Sequence, residues 1–174
     1  MMHSSSRISF IRIAAGVLSI VCMVVIFIFS SENGEKSSET SGSITETVVE
    51  FIHVDYEELS TERQTEIYEE VQHFIRKSAH FLIYAALGFF VSCTLDSKKP
   101  HRRVYSLGKC FLYACSDELH QHFIPDRSGR FSDVLLDTSG SLTGILFLIL
   151  CTYIVSRISS SKNKSVQHKT GSRQ

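Results

Sequence analysis

The chain carries no net charge: eighteen Lys and Arg balance eighteen Asp and Glu over 174 residues. That balance gives no overall pull toward nucleic acid, and no nucleic-acid partner is expected. There is no C-x-x-C pair, and none of the five cysteines falls in a polar segment. A disulfide framework and a thiolate zinc site are therefore both disfavoured. Cys22, Cys93, Cys110, Cys115 and Cys151 read instead as small buried apolar residues. No H-E-x-x-H pattern occurs, which removes the helix-borne zinc-peptidase signature. Also missing is an A-x-A-like cleavage site after the first apolar run. That run is long for a signal sequence and reads as an uncleaved span. A signal peptide is the competing reading, because Arg7 and Arg12 resemble a charged n-region.

What the chain does have is apolar residues gathered into blocks. They make up 43% of the sequence, yet mean hydropathy is only +0.06, because residues 31–77 and 157–174 are strongly polar. Runs at 8–29, 78–95 and 134–156 each match the bilayer hydrocarbon in length. A fourth candidate, 104–123, has a short apolar centre and carries Lys109, Asp117, Glu118, His120 and His122, which are costly facing lipid. Charge sign decides its reading. Basic residues cluster at the N-terminus (Arg7, Arg12), between the second and third runs (Lys98, Lys99, Arg102, Arg103) and in the tail (Arg157, Lys162, Lys164, Lys169, Arg173). The positive-inside rule makes all three regions cytoplasmic, and that requires four crossings. The expectation is an all-α, multi-pass protein of the bacterial plasma membrane with both termini cytoplasmic. It comprises an N-terminus 1–7, a membrane domain 8–156 and a basic tail 157–174.

In this arrangement the outer loop, 30–77, holds most of the carboxylates. Its stretch "NGEKSSETSGS" is loop chemistry. Thr61 with Gln64 fits a capping box. Ile67, Val71, Phe74, Ile75 and Leu82 then recur at helical spacing, predicting an extracellular amphipathic helix that lies on the outer surface and runs into the second span.

Residues 116–133, "SDELHQHFIPDRSGRFSD", pack four acidic groups, two histidines and two arginines beside apolar runs. Lys77, His80 and Tyr84 form one helical stripe, and Tyr113, Asp117 and Gln121 form another, with His120 beside them. Asp137, Gly140, Ser141 and Gly144 form a third. Four crossings bring the three stripes to one depth near the outer face, with Arg127 and Arg130 in the adjoining loop. Ionisable groups in membrane helices usually face the bundle interior, so one polar pocket open to the outside is expected. Plainer readings compete. Asp133 suits the N-cap of the last span, and "IPDRSG" is turn chemistry. Gly140 and Gly144 suit close helix packing, and the two arginines suit lipid phosphates.

"RKSAHFLIYAALG", "YACSDELHQHFIPDRSGRFSDVLLDTSGSLTG" and "IFIFSSENGEKSSETSGSIT" together resemble the VanZ-like family of bacterial membrane proteins. The resemblance implies a four-helix membrane fold and links the chain to teicoplanin resistance. By motif position it puts the family's polar signature on Lys77, His80, Tyr84, Asp117, Glu118, Gln121, Arg127, Asp133 and Asp137. Many relatives have Asn at the last position, so Asp137 is a departure. It names no reaction.

Two functions fit. The first is binding of an anionic or lipid-linked ligand at the outer membrane face. Lys77, Arg127 and Arg130 would hold phosphate or carboxylate, oriented by Asp117, Glu118 and Gln121. A lipid-linked cell-wall precursor, a phospholipid head group or a lipoglycopeptide suits such a site. The alternative is an enzyme acting on a lipid head group, with Asp117 or Glu118 as base and His80 or His120 as acid. A purely structural polar network is a third reading. His80, Asp117, Glu118, His120 and His122 are suitable metal-ligand types, but His120 and His122 are two apart and point away from each other on a helix. No metal and no cofactor is expected. A cysteine introduced at Thr40 is expected to react with an impermeant maleimide on intact cells, and one at Lys99 only after lysis. The reverse pattern would overturn the topology.

Overall fold

Helices follow the apolar blocks, and one polar block as well. The computed structural model describes the backbone of residues 2–32, 34–52, 56–95, 101–125 and 129–171, and side chains at 9–32, 41–52, 56–95, 101–125 and 129–161. Among these residues every regular element is helical: α1 (Met2–Ser31), α2 (Gly34–Ile52), a 3₁₀ turn (Tyr56–Glu58), α3 (Thr61–Thr94), α4 (Arg102–Gln121) and α5 (Phe131–Gly171). Three stretches are long and apolar enough to cross a membrane: Ser9–Ser31, Thr61–Thr94 and Phe131–Ser161. Their outward faces are greasy. Ile13, Ile20, Phe147 and Tyr153 are each more than half exposed, a pattern that water tolerates poorly over so large an area. Helix α4 fails on polarity rather than length, since its 20 residues extend about 30 Å.

Contacts fix the directions of the helices. Gly140 of α5 sits against the Phe81 carbonyl of α3, and Gly144 against the Ala85 carbonyl. Positions rise together, so α3 and α5 run parallel. Helix α4 runs opposite to α3: Tyr113 lies beside Tyr84, with ring centroids 6.2 Å apart, and Asp117 lies beside His80. Helix α1 runs with α4, because the Tyr113 hydroxyl donates to the Met23 carbonyl at 2.7 Å while Gln121 Nε2 reaches Ser30 Oγ at 3.4 Å. The starts of α1 and α4 and the ends of α3 and α5 thus share one end of the bundle.

Helix α3 packs against each of the other four helices. Its inner face joins Cys22, Ile26, Cys110, Ala114 and Val134 around Tyr84 and Leu87. All five cysteines are free thiols.

Three local expectations need correction. From Gly34 on, "GEKSSETSGS" is helical rather than loop. Ser41, Thr45 and Val49 recur every fourth residue and are buried, so packing on α3 overrides the poor helix propensity of Ser and Gly. The cap of α3 is Ser60, whose hydroxyl accepts from the Arg63 amide at 3.4 Å. Gln64 does not close a box with Thr61. Its Nε2 donates to the Tyr56 carbonyl at 2.9 Å and to the Leu59 carbonyl at 3.2 Å. The amphipathic helix does run into the second apolar run, as expected, in one uninterrupted 34-residue helix, with α2 packed on α3. Asp133 is not an N-cap either; it lies inside the first turn of α5.

A Cβ at Gly144 would collide with the Ala85 carbonyl, whereas one at the exposed Gly108 meets nothing within 4 Å. Gly144→Ala is therefore expected to lower stability by about 1–3 kcal/mol. Gly108→Ala should leave stability unchanged or raise it by up to about 1 kcal/mol. Thermal unfolding of the two purified variants checks the contrast.

Candidate functional site

Three helices carry polar side chains to one level. Helix α3 brings Lys77, His80 and Tyr84 on consecutive turns. Helix α4 brings Asp117, Glu118 and Gln121, and α5 brings Asp133, Asp137 and Ser141. Asp117 and Asp137 are 4% and 1% exposed. One ligand-capable atom each from His80, Asp117 and Asp137 lie within 4.8 Å of one another. Two ionised carboxylates that close repel by about 3 kcal/mol or more at an effective dielectric near 20. Such a grouping needs compensation.

Gln121 provides part of it. Its Nε2 donates to Asp117 Oδ2 at 3.1 Å and to Glu118 Oε1 at 3.3 Å, tying neighbouring carboxylates to one amide. Glu118 Oε2 accepts the Arg130 backbone N–H at 2.9 Å. Gly129 lies so close to the Glu118 carbonyl that a Cβ would collide with it. The backbone at Gly129 and Arg130, which leads into α5, is thereby held against α4. Lys77 forms an ion pair with Asp133, and the α5 N-terminus adds its own attraction for that carboxylate. Tyr84 is fully buried next to Asp117, and Ser141 Oγ donates to the Tyr84 carbonyl at 3.2 Å. The Tyr84 hydroxyl and Asp137 Oδ2 are buried without a hydrogen-bond partner among the described residues. Unsatisfied buried polar atoms are uncommon, and each asks for an explanation.

A cavity of about 480 Å³ adjoins this cluster. Its polar wall is formed by the two histidines His73 and His80, the cations Arg76, Lys77 and Arg130, the acids Glu32, Glu118, Asp133 and Asp137, and Gln121. Its apolar wall includes Val25, Ile26, Phe29, Ile44, Ile83 and Leu136. A surface with both characters is what an amphiphilic ligand requires.

Of the residues expected to contact ligand, Lys77, His80, Glu118, Gln121, Arg130, Asp133 and Asp137 line the cavity. Asp117 and Tyr84 lie buried behind that wall. Arg127 lies outside the described residues. His120 turns away from the site: its ring stacks on Phe27 with centroids 4.9 Å apart, and its Nε2 lies 3.1 Å from Ser31 Oγ. His73, Arg76 and Ser30 escaped the sequence reading. His73 and Arg76 were detectable, because they extend the Lys77–His80 stripe by one turn toward the N-terminus. Ser30 carried no such signal.

The family model described as VanZ/LLP1 matches residues 15–152. No curated protein and no solved structure matches the chain.

Removing the Glu118 carboxylate frees the Arg130 amide and the end of α4. Glu118→Ala is expected to cost about 1–3 kcal/mol and to speed proteolysis between residues 122 and 130. Glu118→Gln, which keeps an acceptor, should do less of both. Limited proteolysis beside a melting curve reads the difference.

Proposed function

The chain belongs to the VanZ/LLP1 family, and from that premise and the cavity's geometry we propose that it is a multi-pass plasma-membrane protein that binds an anionic, lipid-linked ligand at the outer membrane face. Four crossings are part of the proposal. Two parallel helices, α3 and α5, joined by an antiparallel α4, require the chain to return through the same layer, which supports α4 as a span despite its polarity. The end of the bundle carrying Arg12, Arg102, Arg103 and Arg157 is then cytoplasmic. The cavity lies toward the opposite, outer end.

The observation that carries the binding reading is the two-sided lining of the cavity. Its aliphatic and aromatic wall suits an acyl or polyprenyl chain, while Arg76, Lys77 and Arg130 stand where a head group would sit. Cations on phosphate or carboxylate form the stronger class of hydrogen bond. A lipid-linked cell-wall precursor, an anionic phospholipid and a lipoglycopeptide such as teicoplanin all combine a chain with a polar head. A second reading, an enzyme acting on the head group, is favoured by one observation: His80 lies within 4.8 Å of two carboxylates, a grouping suited to proton transfer.

Binding of a fluorescent polyprenyl-diphosphate lipid and of phosphatidylglycerol to the protein in nanodiscs tests the proposal. Arg130→Ala and Arg76→Ala are each expected to weaken binding by about ten-fold or more, from the strength of hydrogen bonds to charged groups. Affinity that both substitutions leave unchanged would refute it. Turnover of either lipid, lost in His80→Ala, would favour the enzyme.

A further inference from the structure

We propose that His80, Asp117 and Asp137 form a divalent-metal site of the Zn²⁺ type at the wall of the cavity. The three residues come from three different helices, one from each of the polar stripes that the sequence brings to one level. They offer one imidazole nitrogen and two carboxylate oxygens, all within 4.8 Å of one another. Bonds of about 2.0 Å to a tetrahedral ion set donor atoms about 3.3 Å apart, a contraction that side-chain rotation can supply. Imidazole selects against magnesium and calcium, and zinc binds such mixed nitrogen and oxygen sets tightly. Three protein ligands leave a position open for water or for a ligand oxygen.

An independent observation points to the ion. Asp137 is 1% exposed, yet its Oδ2 has no hydrogen-bond partner among the described residues. Nearby donors are directed elsewhere in part: the Lys77 ammonium pairs with Asp133, and the neutral Gln121 amide serves Asp117 and Glu118. A buried carboxylate oxygen with no donor, facing a second carboxylate and an imidazole, has the form of a ligand awaiting its cation.

Charge at the cavity argues the same way. Glu32, Glu118, Asp133 and Asp137 outnumber Arg76, Lys77 and Arg130 along its lining, so the three cations that would hold an anionic head group work against a surplus of carboxylates. A bound divalent cation reverses that balance and offers its open position to a phosphate oxygen. This last step rests on the proposed ligand class. The metal site itself rests only on the cluster.

The test uses the full chain in detergent, purified without metal-affinity chromatography, and Zn²⁺ as the probe. Elemental analysis and calorimetric titration are expected to show one Zn²⁺ per chain. Co²⁺ in its place should give the visible d–d bands of a low-coordinate site. His80→Gln, Asp117→Asn and Asp137→Asn should each weaken Zn²⁺ binding by at least about ten-fold, the lower end of what even outer-shell losses produce. His122→Ala, at an exposed histidine, should not. Wild-type protein that takes up no stoichiometric Zn²⁺ overturns the site, whatever the variants' folding. So does binding equal in the wild type and all three variants. Loss of lipid binding with Zn²⁺ retained would sink the proposed function alone, and lipid binding by wild-type protein that takes up no Zn²⁺ would sink this inference alone.

Discussion

The close approach of two parallel backbones, α3 and α5, governs the rest of the molecule. At Gly88, Gly140 and Gly144 a Cβ would run into the facing main chain, at Ser141, Phe81 and Ala85 in turn. Small residues permit this contact, and in a membrane such packing replaces the hydrophobic drive available in water. Its consequence is register. With Gly140 locked beside Phe81 and Gly144 beside Ala85, His80 has to meet Asp137, and Lys77 has to meet Asp133. A slip by one turn would break both pairings.

Parallel neighbours also dictate what lies between them in the chain. Helix α4 has to run the length of the bundle in the opposite sense, and it brings Asp117, Glu118 and Gln121 to the level that the α3–α5 register sets. Its polarity, which hides it from a hydropathy reading, is the same property that furnishes the site. Its buried face carries Ser106, Cys110, Ala114, Asp117, Glu118 and Gln121, small in the lower half and polar in the upper half. Leu112 and Leu119 look outward.

Much of this was legible in the sequence, because membrane helices are read from long apolar runs and sites from ionisable groups placed where lipid would punish them. The helical stripes of Lys77, His80 and Tyr84 and of Asp117 and Gln121 follow from period alone. The close packing at Gly140 and Gly144 follows from small residues four apart. What failed was whatever depends on a partner from elsewhere in the chain. Helix α2 is polar and glycine-bearing, and its buried Ser41, Thr45 and Val49 acquire meaning only against α3. Asp133 was read locally as a cap, while its partner Lys77 lies on another helix. His120 shares a stretch with the acidic cluster, but its angular position sends it to Phe27 of α1. The meeting of His80 with Asp117 and Asp137, by contrast, follows from the three stripes once four crossings bring them to one level, although their close spacing does not.

The polar level is not what holds the helices together. Below it, Cys22, Ile26, Leu87, Cys110 and Ala114 make an apolar core, and the glycine contacts supply close van der Waals packing between α3 and α5. Buried charge is weak evidence for stability, since well-packed apolar residues commonly do as well or better in the same volume. Here the arrangement is less favourable still. Two carboxylates face each other, one has an oxygen without a donor, and an open cavity replaces packed atoms beside them. A network shaped by stability alone would close that space and satisfy Asp137. That both stay open is the structural ground on which a ligand-binding role is proposed.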